Sequence, residues 1–113
     1  MDIRKASDTF SVSAQIGTND IAVIAAMGFK SIVCNRPDGE ADDQPLFEVI
    51  EDVAGRAGLQ TAYLPVAPTG PVEADISEFQ RIFANLPKPV LAYCRSGNRS
   101  LAIWAAGPEA DVG

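Results

Sequence analysis

Histidine is absent from the 113-residue chain. That removes Ser-His-Asp and Cys-His catalysis, both of which use imidazole as the base. Cysteine is nearly absent: Cys34 and Cys94 are the only 2. Without histidine they cannot fill a tetrahedral zinc site, and 2 cysteines make no disulfide framework. The expectation is therefore no metal and no cofactor, with any reactive cysteine activated by something other than imidazole. Positive charge is the minority sign, 9 Lys and Arg against 15 Asp and Glu for a net −6. An acidic chain argues against a general nucleic-acid binder, which needs a basic footprint. Long apolar runs are missing too: none approaches the roughly 18–20 residues of a membrane span. The opening "MDIRKASDTF" lacks the apolar centre of a signal peptide. Together these absences predict a cytoplasmic protein with neither nucleic acid nor membrane as partner.

What the chain does have suits one domain over residues 1–113, with a hydrophobic fraction of 47% to supply its core. "DTFSVSAQI" alternates Phe10, Val12 and Ala14 against serines and reads as a half-buried strand. "TNDIAVIAAMG" reads as a helix with Thr18 as N-cap, Ile21, Ile24 and Ala25 on its inner face, and Gly28 as its stop. "FKSIVCN" is a β-branched strand, and "RPDGEADDQ" an exposed loop. "PLFEVIEDVAGRAG" fits a helix with Pro45 in its first turn and Gly58 past its end. "LQTAYLPV" is a strand, and a Pro- and Gly-containing loop leads to a helix from Glu73 to Leu86 with Ile76, Phe79, Ile82, Phe83 and Leu86 on one face. "KPVLAYC" suits a buried parallel strand, and "RSLAIWAAG" restarts helical spacing, with Ile103 and Trp104 as core residues. This alternation predicts an α/β fold, a small mainly parallel sheet with helices on both faces.

The chemistry concentrates in "CRSGNRS", residues 94–100. Cys94 ends a central strand, where open α/β sheets place their sites. Arg95, Ser96, Gly97, Asn98, Arg99 and Ser100 then turn the chain into a helix N-terminus, whose free N–H groups and dipole favour an anion. Gly97 allows a left-handed backbone or a close approach. A guanidinium at Arg95 or Arg99 suits a tetrahedral oxyanion by two-pronged contact. Such surroundings lower a thiol pKa from about 8.5 to between roughly 3.5 and 7.5. The alternative is an ordinary Gly-Asn turn with exposed arginines, but the order Cys, Gly, Arg, Ser at a strand-to-helix junction favours a functional loop.

With "CNRPDGE" at 34–40 and "IRKASDTFSVSAQI" near the start, this loop resembles the beta-lactamase hydrolase-like protein, phosphatase-like domain family. The resemblance implies a fold like that of dual-specificity protein tyrosine phosphatases, with Cys94 as nucleophile and Arg99 as the anion-binding arginine. Members of the family are described both as phosphatases and as sulfurtransferases, so the reaction stays open. Tyrosine phosphatases carry His-Cys, five residues, then Arg and a hydroxyl residue. Here Tyr93 replaces that histidine, only four residues separate Cys94 from Arg99, and Ser100 keeps the hydroxyl. The shortened loop is similar to that of rhodaneses and suits a terminal persulfide sulfur. Sulfur transfer also needs no protonated leaving group, whereas a phosphate ester does. The leading expectation is therefore a sulfurtransferase carrying sulfane sulfur on Cys94, with a sulfane-sulfur donor and a thiol acceptor as partners. The alternative is a phosphatase that acts on a phosphate ester through phosphocysteine. A third class is a non-catalytic anion-binding or partner-binding module.

Four further residues have two readings each. Asp38 is a candidate catalytic acid or a turn residue; Asp75 is a weaker candidate acid or a first-turn residue favoured by the dipole. Arg36 lines the site or is a solvated loop arginine. Cys34 approaches Cys94 across neighbouring strands or is a small buried apolar residue. The resemblance also implies more helix after the loop, whereas Gly107 and Pro108 stop this one, so a truncation after about residue 106 is expected.

Overall fold

The structure, a computed structural model, describes residues 1–107. Pro108 lies outside the described residues. Five strands form one sheet: β1 (Ile3–Lys5), β2 (Phe10–Ser13), β3 (Ser31–Cys34), β4 (Gln60–Tyr63) and β5 (Val90–Tyr93). Their order across the sheet is β1-β2-β5-β3-β4. β1 runs antiparallel to β2, and all other pairs are parallel. β5 thus lies between β2 and β3, with Tyr93 level with Ser13 on one side and Cys34 on the other. The chain leaves β5 at the centre of the sheet's carboxyl edge.

A short 3-10 turn (Thr18–Asp20) leads into α1 (Ile21–Ala26), followed by α2 (Phe47–Arg56), α3 (Glu73–Asn85) and α4 (Asn98–Ala105). Strand alternation sorts the core into two layers. Phe10, Val12, Val33, Val90 and Ala92 face α3 and α4, meeting Phe79, Phe83, Ile103 and Trp104. Phe10 and Trp104 stack there with ring centroids 4.7 Å apart. Ile32, Cys34, Leu91 and Tyr93 face the other way, onto Ile21, Ile24, Ile50 and Ala54 of α1 and α2. Helices therefore cover both faces, as the alternation of short apolar runs predicts. Among the described residues, no helix is long and apolar enough to cross a membrane.

Three details differ from the sequence-based expectation. β1, with two charged residues in three, carries no apolar signal, yet it pairs along the sheet edge. That pairing puts β2 inside the sheet, so Ser11 and Ser13 are buried along with Phe10 and Val12. Thr18 is not the N-cap of a continuous helix; Asp20 Oδ2 instead accepts from the Gly17 N–H at 2.8 Å. Pro45 precedes α2, which begins at Phe47, while Gly28 and Gly58 end α1 and α2 with positive φ as expected.

Candidate active site

The loop after β5 folds back on its own cysteine. Gly97, with φ at 94°, is the N-cap of α4, and its N–H donates to Cys94 Sγ at 3.0 Å. Burial pushes the Cys94 thiol upward, but the N–H groups of Ser100, Arg99, Gly97 and Ser96 outweigh it and bring the pKa below the ordinary thiol value. These donors supply the stabilisation that imidazole provides elsewhere. The loop turns here because only a glycine fits. A Cβ on Gly97 would lie 2.6 Å from Arg4 Nη2 and 3.2 Å from the Ser13 carbonyl.

Arg4 comes from β1, 92 residues earlier, and its Nη2 donates to the Ser96 carbonyl at 3.1 Å and to Asn98 Oδ1 at 3.4 Å. It fixes the outer side of the loop. The inner side is fixed by Ser100, whose buried hydroxyl donates to Asn35 Oδ1 at 2.8 Å. Asn35 in turn donates its amide to the Leu64 carbonyl and its backbone N–H to the Tyr93 carbonyl. The Ser100 side chain therefore holds the loop to the end of β3, while its backbone N–H faces the sulfur.

Arg99 is held end-on by Glu40, Nη1 to Oε2 at 2.7 Å and Nη2 to Oε1 at 2.8 Å. Nη1 also donates to the Val66 carbonyl at 2.8 Å. These contacts use Nη1 and Nη2, and the guanidinium lies near enough to Cys94 for the two side chains to interact. Glu40 serves a second arginine: Arg36 Nε donates to Oε1 at 3.1 Å, and Arg36 Nη1 to Gln15 Oε1 at 3.0 Å. The Arg99 contact, followed by that of Arg36, holds the Glu40 carboxyl at about 2 despite its burial.

These groups open onto a cleft of about 800 Å³ lined by Arg95, Ser96, Asn98 and Arg99 on the loop and by Arg36 and Glu40 after β3. The structure thus brings residues 94–100 and Arg36 together. Arg36 is buried rather than solvated. Asp38 is placed differently. Its Oδ1 accepts from the Phe47 N–H at 2.8 Å, capping α2, and it is not among the residues lining the cleft. Asp75 likewise caps α3, accepting from the Val72 N–H at 3.0 Å. Cys34 packs with Ile32, Leu91 and Tyr93, and its thiol donates to the Arg36 carbonyl at 3.2 Å. Burial raises its pKa, and both cysteines are free. Among the described residues, no cluster of three or more His, Cys, Asp or Glu side chains is arranged to hold a metal ion.

A cysteine loop that carries an arginine, at the carboxyl end of the central strand of this sheet, defines a domain like the dual-specificity protein tyrosine phosphatases. The core catalytic domain of a PP-IP phosphatase from S. cerevisiae shares that fold, with a TM-score of 0.64 at 14% identity over 84% of this chain and 56% of that one. The chain belongs to the family described as beta-lactamase hydrolase-like protein, phosphatase-like domain, whose model matches residues 2–110. It is 37% identical over 111 residues to the beta-lactamase hydrolase-like protein of Xylella fastidiosa strain Temecula1, covering 98% of this chain and 26% of that protein. The chain therefore spans about a quarter of the curated relatives' length. A candidate phosphatase from Neisseria meningitidis superposes with a TM-score of 0.86 at 35% identity, covering 93% of this chain and 75% of that one.

Proposed function

We propose that this chain is a cysteine-dependent phosphatase that hydrolyses phosphate monoesters through a phosphocysteine on Cys94. The observation that carries the reading is the Gly97 N–H at 3.0 Å from Cys94 Sγ, in a loop whose backbone N–H groups favour the thiolate and whose Arg99 lies close by. The same donors that favour the thiolate can hold the oxygens of a phosphoryl group, and Arg99 adds the fixed charge and planar fork that a dianion needs. The phosphatase-like family and the description of the Neisseria relative also support it. In the first step the thiolate attacks phosphorus and the ester oxygen leaves. In the second, water displaces the sulfur and inorganic phosphate is released. The test is turnover of p-nitrophenyl phosphate, with a phosphoryl adduct trapped on Cys94 and all activity lost in Cys94→Ser. Activity that survives in Cys94→Ser overturns the reading.

Sulfur transfer, which loop length favours in the sequence, is the second reading. Its support is the short spacing: with four residues between Cys94 and Arg99, the Gly97 N–H lies 3.0 Å from the sulfur itself. A persulfide's outer sulfur would then occupy the space beside Arg99. Mass spectrometry after incubation with thiosulfate or glutathione persulfide separates the two reactions, because only this one adds a sulfur atom to Cys94. Anion binding that persists in Cys94→Ser, with neither reaction in the wild type, would leave a non-catalytic binding module.

A further inference from the structure

The phosphatase reading leaves one role unfilled. The oxygen of an unactivated phosphate monoester departs slowly unless a proton reaches it as the bond to phosphorus breaks. With no histidine in the chain, the acid is sought first among the carboxyl groups of the cleft, and these are Glu40 and Asp43. Glu40 is bound by Arg99 on both oxygens and by Arg36 on one, so it stays ionised and has no proton to give. Asp38 and Asp75 spend their carboxylates on the first turns of α2 and α3.

Asp43 has no such commitment. Its side chain is exposed, and among the described residues it makes no hydrogen bond or ion pair. The backbone that carries it is pinned on both sides. Glu40 ties the loop to Arg99, while Gln44 Nε2 donates to the Pro37 carbonyl at 3.0 Å and Gln44 Oε1 accepts from the Ala41 N–H at 3.3 Å. A fixed loop therefore presents one uncommitted carboxyl group to the cleft that Arg95, Ser96, Asn98 and Arg99 line. Its neighbour Asp42 is not among the lining residues.

We infer that Asp43 is the general acid and base of this site; the inference rests on the phosphatase reading. In the first half-reaction the Cys94 sulfur forms a bond to phosphorus as the phosphorus–oxygen ester bond breaks. The leaving oxygen keeps the bonding electrons, takes the Asp43 carboxyl proton and departs as an alcohol. In the second half-reaction a water oxygen bonds to phosphorus, its proton passes to the Asp43 carboxylate, and the sulfur–phosphorus electrons return to Cys94. Phosphate leaves, and nothing is oxidised or reduced.

The experiment compares p-nitrophenyl phosphate, whose leaving group needs little help, with phenyl phosphate, whose leaving group needs a proton. Asp43→Asn should lower kcat on phenyl phosphate by about 10²–10³-fold while leaving p-nitrophenyl phosphate little changed. Asp43→Glu should restore part of the phenyl phosphate rate, and Asp42→Asn should behave as wild type on both esters. Equal loss on both esters in Asp43→Asn, no loss on either, or the same pattern in Asp42→Asn overturns the assignment. Wild-type turnover of neither ester overturns the phosphatase reading and this inference with it. Wild-type turnover with an unaltered Asp43→Asn overturns the inference alone.

Discussion

Arg99 and Glu40 meet end-on through two parallel bonds of 2.7 and 2.8 Å, with side chains only 10% and 17% exposed. The pair joins the loop after β5 to the loop after β3, and the Arg36 contact makes it a three-residue network. Removing one member of this half-buried pair leaves the other charge poorly compensated, at about 1–3 kcal/mol. Glu40→Gln should therefore destabilise the fold by an amount of that order and free Arg99 to swing. Denaturant unfolding against pH measures the first effect. The folded carboxyl sits at about 2 and its ordinary value is 4.5, so the contribution is complete above about pH 4.5 and is lost as pH falls toward 2. The Glu40→Gln protein should lack that acid-side slope.

The Cys94 thiolate is favoured by backbone donors, so its titration reports on the loop. Labelling with iodoacetamide across pH should give a Cys94 pKa below the free-thiol value of about 8.5. Arg99→Ala should raise it by removing the adjacent positive charge. Cys34, whose thiol is shifted upward where that of Cys94 is shifted downward, should label only at higher pH or on unfolding. An unshifted Cys94 pKa in the wild type would mean that residues 94–100 are an ordinary turn.

Arg99→Lys keeps the charge but loses the fork that serves Glu40. Activity should fall by about 10–100-fold, the loss of roughly 1.4–3 kcal/mol of oriented contact. Arg95, exposed on the cleft rim, should tolerate lysine with a much smaller loss. Steady-state kinetics on one ester for both variants makes the comparison.

Gly97→Ala meets two obstacles, a left-handed backbone and a Cβ 3.2 Å from the Ser13 backbone carbonyl, and it also displaces the end of Arg4. A side chain at that φ costs about 1–3 kcal/mol. At about 4–8 °C per kcal/mol for a domain near this size, thermal unfolding should register a clear drop in Tm. The Gly97 N–H should also move off the sulfur, raising the Cys94 pKa in the labelling assay.

The legible part of the site is the part held within a few residues. Cys94, Gly97 and Arg99 sit in one strand–loop–helix unit whose chemistry follows from local backbone geometry, and the strand that carries them is apolar enough to read as buried. The core residues Phe79, Phe83, Ile103 and Trp104 are likewise signalled by helical spacing. Glu40 and Arg4 were not legible as site residues because their partners lie 59 and 92 residues away, and a lone acidic or basic residue in a polar stretch looks solvated. Asn35 reads as a strand end and reveals its role only when Ser100 meets it from another element. Asp38 shows the converse: a carboxylate in a turn reads as a candidate acid in the sequence, while in the fold its Oδ1 also accepts from the Phe47 N–H at the start of α2.

The involvement of Arg4 has a practical side. The first strand is three residues long, at the sheet margin, and two of its residues are charged. A protease nick before Ala6 would leave nearly all of the apolar core in place, and the remaining protein would still look folded by circular dichroism. It would nevertheless strip the clamp from the Ser96 carbonyl and bare Ser11 and Ser13, turning an inner strand into an open margin. Preparations that are weakly active but well folded should therefore be checked for an intact amino terminus by mass before any defect is ascribed to Cys94.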